Sequence, residues 1–355
     1  EASAVMVCAV LISLVGGVLM WGLVVTLGPY LYEYASNSSD VVEAAIRYAA
    51  LVFPVIPAYW LINMLASVLR GTGDMIRPAW IAASLLLSYT LLAFLIIPGQ
   101  GASLNDAIEA AALAMGGSYL FALTLAIYFV SQKTQSVRFR IAAFRTQTLI
   151  LILKQGMLAA SQSVMTIIYA MITTLIFSQF GTDWLAGFGL AVRLELIMVP
   201  VIFGIGASMI AIVGAYVGAG QRDLAISIAW RGILVNVVLI GSVGLLLSLF
   251  PGTWCGLVGS DATVIANCSQ SLSIIAPTYA FFAIGLSCYL ASQALGTLGF
   301  PVFGALLRLL TVATGLYWVT NTTSIDAALY LVAGAAIVYG VTVAVGLKLG
   351  PWRVR

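Results

Sequence analysis

Long apolar runs separated by short polar turns dominate this chain. A hydrocarbon core of about 30 Å takes roughly 20 residues of helix to cross. Ten runs meet that length: 4–28, 44–69, 79–98, 106–131, 147–180, 184–217, 223–250, 264–293, 300–320 and 326–348. Barrel strands would be about ten residues long with strict alternation, and these runs are longer and continuous. Several exceed the need, which predicts tilt or extension past the lipid. The pattern therefore predicts an all-α membrane protein with ten transmembrane helices.

The turns between the runs alternate in charge. Glu33, Asp40 and Glu43 stand against Arg47 in the first, and Arg70 and Arg77 surround Asp74 in the second. Asp106 and Glu109 follow without a base, then Lys133, Arg138, Arg140 and Arg145 with Lys154 just beyond. Asp183 stands alone, Arg222 is beside Asp223 with Arg231 nearby, and Asp261 stands alone. An uncharged turn is followed by Arg308, Asp326 stands alone, and the tail carries Lys348, Arg353 and Arg355. Lys and Arg gather on the cytoplasmic side, so the alternation supports the ten spans and predicts that both ends of the covered chain are cytoplasmic, in a prokaryotic inner or plasma membrane.

The longest polar stretch, SQKTQSVRFRIAAFRT from Ser131, divides the chain into an N-terminal bundle of four helices (1–135) and a C-terminal bundle of six (136–355). The halves repeat. A shift of 223 residues places Pro54 on Pro277, Gly73 on Gly296 and Pro78 on Pro301, and a shift of 222 places Pro29 on Pro251. Such a repeat is a mark of transporters. It pairs the first span with the seventh, so the four-helix bundle reads as incomplete, part of a twelve-helix transporter fold with two spans ahead of Glu1. Glu1 is followed at once by an apolar run without a basic leader, unlike a signal peptide.

Composition sharpens this reading. The 355 residues are 62% hydrophobic and 8% charged, with a mean hydropathy of +1.11. A soluble domain is roughly a quarter charged, so a soluble enzyme, a nucleic-acid partner and a disordered chain are all excluded as main readings. Histidine is absent, which removes the commonest general base and metal ligand. Cys8, Cys255, Cys268 and Cys288 show no metal or redox spacing and read as small packing residues, with neither disulfide nor metal site expected. No nucleophile–base pair, phosphate loop or cofactor motif appears, and no enzyme activity or resident cofactor is expected.

Candidate chemistry is confined to the spans. A charge at mid-membrane costs at least ~2.5–3.5 kcal/mol on insertion scales and is rarely idle. In the sixth span Arg193 and Glu195 lie roughly 14 and 17 Å inside at ~1.5 Å per residue. Being two residues apart, they face different sides of the helix and cannot pair with each other. Glu195 is the candidate for coupling to H⁺ or Na⁺, with Arg193 tuning it or the substrate; the alternative is a structural tie between helices or an arginine that snorkels. Gln162, Thr166, Tyr169 and Thr173 recur at helical spacing and suit one wall of a cavity, although Ser and Thr also glue helices. Tyr59, Asn63, Tyr279 and Gln293 are weaker lining candidates. Pro54, Pro57, Pro200 and Pro277 are expected to kink or locally unwind their spans. Gly214 and Gly218 form a GxxxG, expected to serve close packing rather than chemistry, and Asn37 and Asn321 open glycosylation-like sequons on the predicted outer side.

The segments LRGTGDMIRP, FGTDWLAGFGLAVRLE, VPVIFGIGASMIAIVGAYVGAGQ and ASQALGTLGFP make the chain resemble the multidrug and toxic compound extrusion (MATE) family over nearly its whole length. The resemblance implies two six-helix bundles around a central cavity and export of amphipathic, often cationic small molecules in exchange for H⁺ or Na⁺. It also places the start of the chain at the family's third helix. The family's working carboxylates on its first, seventh and tenth helices have no counterpart here: the first helix is absent, and 147–180 and 264–293 contain no Asp or Glu. Proline is common in the family where this chain has Gly156-Met157-Leu158. The expectation is a monomeric antiporter in the lipid bilayer working by alternating access. A lipid-linked oligosaccharide flippase and a non-transporting membrane remnant are the alternatives.

Overall fold

A computed structural model describes residues 2–35, 38–97, 103–132, 144–322 and 324–350. Asn37, Lys133, Arg138, Arg140, Arg353 and Arg355 lie outside the described residues, as does the side chain of Asn321. Every regular element among the described residues is helical. In chain order these are α1 (Ala2–Ala35), α2 (Ser39–Val52), α3 (Ile56–Gly71), α4 (Ile76–Ile96), α5 (Leu104–Ser131), α6 (Thr146–Ser178), α7 (Thr182–Gly218), α8 (Arg222–Leu249), α9 (Pro251–Val258), α10 (Ala262–Ile275), α11 (Tyr279–Ala294), α12 (Gly299–Thr322) and α13 (Ile325–Leu349). They make ten apolar spans of 21 to 37 residues. The protein is an integral membrane protein, with apolar side chains such as Phe94, Met157 and Leu239 turned outward.

The chain divides into two compact units, Glu1–Ile152 and Leu153–Arg355. The division falls in the first turns of α6 rather than in the polar stretch before it. In the first unit α1 packs on α3 and α4 on α5. A small core of Ile62, Leu65, Leu69, Ile81, Ala122 and Ala126 lies between α3, α4 and α5. At the edge of α2, Arg47 pairs with Glu109 of α5; both are exposed, so the pair contributes little.

The second unit is built around α11, which packs on α7, α8 and α13. Its sequence YAFFAIGLSCYLASQA is rich in Ala, Gly, Ser and Cys, and small residues let membrane helices approach closely. Gly285 of α11 leaves room for the ring of Tyr339, and Gly340 of α13 rests on the backbone of Phe281. A buried polar knot also ties this core. Asn236 of α8 donates from Nδ2 to Ser287 Oγ of α11 at 2.9 Å, and both side chains are fully buried.

The repeat legible in the sequence recurs as local geometry inside each unit. Pro54 and Pro277 both sit in a single 3₁₀ turn, Phe53–Val55 and Ala276–Thr278, that interrupts a span. Proline lacks the N–H that would continue the α-helical ladder. The following helices then end alike. Gly73 at φ 87° donates to Arg70 O while Asp74 donates to Leu69 O; Gly296 at φ 71° donates to Gln293 O while Thr297 donates to Ser292 O. Each is a Schellman ending, which places glycine where a Cβ would be strained. Pro57 lies in the first turn of α3, where a missing N–H costs nothing. Pro200 leaves α7 as one helix, so it produces no break of the kind seen at Pro54. Pro29 stays inside α1, whereas its counterpart Pro251 opens α9 after a break at Phe250.

The cysteines correct an expectation. Cys8 and Cys288 are free and buried, but Cys255 of α9 and Cys268 of α10 form a disulfide with Cα atoms 5.9 Å apart. Their separation of 13 residues matches no sequence motif. The break at Phe250 folds the short α9 against α10, and Asp261 caps α10 by accepting from the N–H groups of Thr263 and Val264. This connection carries Asp261 and no base, the charge pattern that the sequence predicts for the outer side, where disulfides persist. Closing so short a loop stabilises by about 3 kcal/mol in the chain-entropy account. Cys255→Ser is therefore expected to lower the thermal midpoint of the detergent-purified protein by several degrees. Thiol titration of the denatured wild type is expected to find two free thiols; four would refute the bridge.

Candidate functional site

The second unit holds a partly open cavity of about 270 Å³. Gln162, Thr166 and Tyr169 line it from α6, Phe282 from α11, Arg308 from α12 and Tyr339 from α13. Three of the four polar residues spaced along α6 thus meet at one cavity wall. Thr173, one turn further, is buried and donates its hydroxyl to the carbonyls of Tyr169 and Ala170; it serves the helix itself. Thr166 likewise donates to Gln162 O at 3.0 Å, leaving its hydroxyl oxygen able to accept.

Arg308 organises the cavity. It lies nine positions into α12, roughly 14 Å from the helix start at ~1.5 Å per residue, and only 8% of its side chain is exposed. Its Nη2 stands 3.5 Å from Oε1 of Glu195 on α7. The ring of Tyr169 covers the guanidinium at 3.8 Å, with Phe282 at 5.6 Å and Tyr339 at 5.7 Å. Taking two charges out of water is expensive, and only close pairing with added contacts offsets it. A desolvated ring over a guanidinium contributes up to about 2 kcal/mol. Glu195 therefore has the partner on another helix that its depth demanded.

Tyr339 is fixed from both sides. Gln162 Nε2 donates to its hydroxyl at 3.0 Å, and its ring fills the space left by Gly285. Among the described cavity-lining residues two buried polar atoms are left without partners, Gln162 Oε1 and Arg308 Nε. Each unmet group of this kind costs ~1–3 kcal/mol, so the cavity is poised to take a ligand or water with complementary groups. Gly285→Ala is expected to push Tyr339 off Gln162 and destabilise by ~1–3 kcal/mol through overpacking. A thermal midpoint equal to wild type would show that the ring has slack.

The remaining sequence candidates do not line the cavity, although Tyr279 is near enough to interact electrostatically with Glu195 and Tyr169. Arg193 is exposed and, among the described residues, makes no ion pair; the ~200° between it and Glu195 places it on a different side of α7. Tyr279 is 2% exposed and packs in the hydrophobic core beside Gly244, and Gln293 lies at the end of α11, where its carbonyl closes the Gly296 turn. Neither lines the cavity. Tyr59 and Asn63 belong to the first unit. Tyr59 meets Tyr119 edge-on at 5.9 Å, and Asn63 donates to Tyr59 O at 2.9 Å. Sequence reasoning treated Arg308 as a cytoplasmic loop charge and passed over Tyr339. The missed signal was depth: nine residues past Gly299 puts a guanidinium well inside the membrane.

The MatE family model matches residues 1–96 and 159–318. The chain belongs to the MATE family. A curated MATE relative, the probable multidrug resistance protein NorM of Thermotoga maritima, is 19% identical over 277 residues. That alignment covers 78% of this chain and 60% of the relative, so the chain spans less than two thirds of its length. Among solved structures, a MATE crystallised in complex with MaL6 superposes with a TM-score of 0.88 at 17% identity, covering 98% of this chain and 78% of that one. An outward-facing multidrug resistance MATE transporter of the MOP superfamily gives 0.83 at 17% identity, with the same coverage. The chain thus has the fold of the twelve-helix MATE transporters. Within this MATE chain, Glu195 is the one carboxylate of the second unit that lies away from a helix end.

Proposed function

We infer that this MATE chain is a secondary active antiporter that exports amphipathic, often cationic small molecules in exchange for H⁺ or Na⁺ by alternating access. The observation that carries the reading is the Glu195–Arg308 pair, whose arginine lines an aromatic cavity within the spans. A carboxylate at this depth is costly, and the ligands that alter its charge are the ones that redistribute the conformations around it. When Glu195 is ionised the pair is neutral. A proton on Glu195 leaves Arg308 with an uncompensated charge that repels a cationic solute. A Na⁺ ion at the same carboxylate stands beside the guanidinium and must displace it. Either ion therefore competes with a cationic substrate, which is the requirement for exchange.

The chain works in a prokaryotic inner or plasma membrane as a monomer with both ends cytoplasmic, an orientation supported by the disulfide on the predicted outer connection. A second reading, a flippase for lipid-linked oligosaccharides, draws support from the guanidinium in the cavity, which Glu195 neutralises while ionised. The test is reconstitution in proteoliposomes with an imposed pH or Na⁺ gradient and a fluorescent organic cation inside. Gradient-dependent efflux is expected, blocked by other organic cations. Inhibition by lipid-linked head groups instead supports the flippase, and no flux with either gradient overturns the antiporter.

A further inference from the structure

The guanidinium of Arg308 is held in the way a bound organic cation is held. Tyr169 covers its face, Phe282 and Tyr339 close in from the sides, and Glu195 supplies the counter-charge. A carboxylate with three aromatic faces is recognition chemistry for a small delocalised or quaternary cation. Here the cation is part of the chain. Two features mark the hold as loose. The ion pair is 3.5 Å long, beyond the ~2.7–2.9 Å of a close charge-assisted bond. The buried Nε has no acceptor. The same cavity offers the unpartnered Gln162 Oε1, an acceptor for a ligand that brings its own N–H groups.

We propose that Arg308 is a tethered occupant of an organic-cation site, so that a small guanidinium or quaternary ammonium ligand reaches Glu195 and the ring cage only when the Arg308 head group has left them. This deepens the transport reading above, on which it rests for the direction of movement but not for binding. Two cations cannot share one carboxylate and one cage, so the two occupants exclude each other. The free site exists only for the fraction of time Arg308 is displaced, and apparent affinity falls by that fraction. Arg308 thereby sets affinity and specificity. A neutral ligand of the same shape draws nothing from Glu195 and competes poorly with the arginine.

The test is calorimetric titration of the purified full chain with methylguanidinium and with tetramethylammonium, every variant at one fixed pH and salt concentration. Arg308→Met keeps an apolar arm against the rings and removes the charge. It is expected to bind both probes on the order of 10-fold more tightly than wild type. Arg308→Lys, which retains a tethered cation, should stay near wild type, and Arg308→Met with Glu195→Gln should lose the gain. Equal or weaker binding by Arg308→Met overturns the proposal, and so does a gain that survives without the Glu195 carboxylate. A further readout needs no variant. Saturating methylguanidinium should increase labelling of Arg308 by an arginine-selective dicarbonyl reagent, read by peptide mass; unchanged labelling or protection counts against displacement. A chain that shows this binding pattern yet moves no solute sinks the transport reading and leaves the site standing. Gradient-driven efflux without the Arg308→Met gain does the reverse.

Discussion

Glu195→Gln is expected to reduce gradient-driven efflux of an organic cation to the level of empty liposomes while the protein still inserts and purifies as a monodisperse species. The argument rests on what Gln keeps and what it loses. Its shape is that of Glu, and its amide oxygen still accepts from Arg308 Nη2, which lies 3.5 Å from Oε1 in the native pair. The helix contacts of α7 are therefore preserved, and the cost in stability should be no more than that of a charge-assisted hydrogen bond, ~1.5–3 kcal/mol. What is lost is a group that can exist in two charge states. Gln neither binds a proton at any working pH nor offers a full negative charge to Na⁺, so both conformations see the same neutral side chain. A ligand shifts an equilibrium only through its different affinity for the two states, and the coupling ion loses that difference. Efflux is read from dye release under an imposed gradient, with counterflow without a gradient as the control for intact substrate binding. Unchanged gradient-driven efflux removes Glu195 from the mechanism and moves coupling to another part of the protein.

Much of this architecture was legible because the bilayer imposes simple rules on sequence. A helix must satisfy its own backbone groups in lipid, so each span appears as a long apolar run, and the ten runs from 4–28 to 326–348 fall on the ten spans of the structure. The matched prolines and glycines of the repeat were legible for the same reason. Pro54 and Pro277 cannot continue a ladder, and Gly73 and Gly296 adopt a backbone conformation that other residues avoid. Glu195 stood out because an acid at mid-span is costly. Its partner did not, because a basic residue following a turn satisfies the positive-inside pattern equally well. What decides between a loop charge and a buried charge is how the helices pack, and in membranes packing leaves a faint trace: Gly285 against Tyr339 is a pairing of two unremarkable positions 54 residues apart in sequence. The Cys255–Cys268 bridge escaped for a similar reason, since it depends on α9 folding back onto α10 after Phe250.

The Glu195–Arg308 pair should also show in stability, with an asymmetry that its burial dictates. Removing one member of a buried pair commonly costs ~3–5 kcal/mol, because the other charge is stranded, whereas replacing both with apolar groups of similar volume is often neutral or better. The two ends differ in exposure here, 8% of the Arg308 side chain against 23% for Glu195. The stranded carboxylate of Arg308→Met is 23% exposed and keeps some access to water. The stranded guanidinium of Glu195→Leu lacks that relief: it is nearly enclosed and does not deprotonate, and the rings of Tyr169, Phe282 and Tyr339 offset only part of its desolvation. Glu195→Leu is therefore expected to show the lowest thermal midpoint in detergent, Arg308→Met an intermediate one, and the double variant a midpoint close to wild type. The coupling from the four-member cycle should be on the order of 2 kcal/mol or more, in the range found for residues in direct contact. Additive single effects would mean that the two groups do not interact, and the cavity would then owe its shape to packing alone. A double variant as stable as wild type but inactive in efflux is the expected signature of a pair kept for its charge states rather than for holding the helices together.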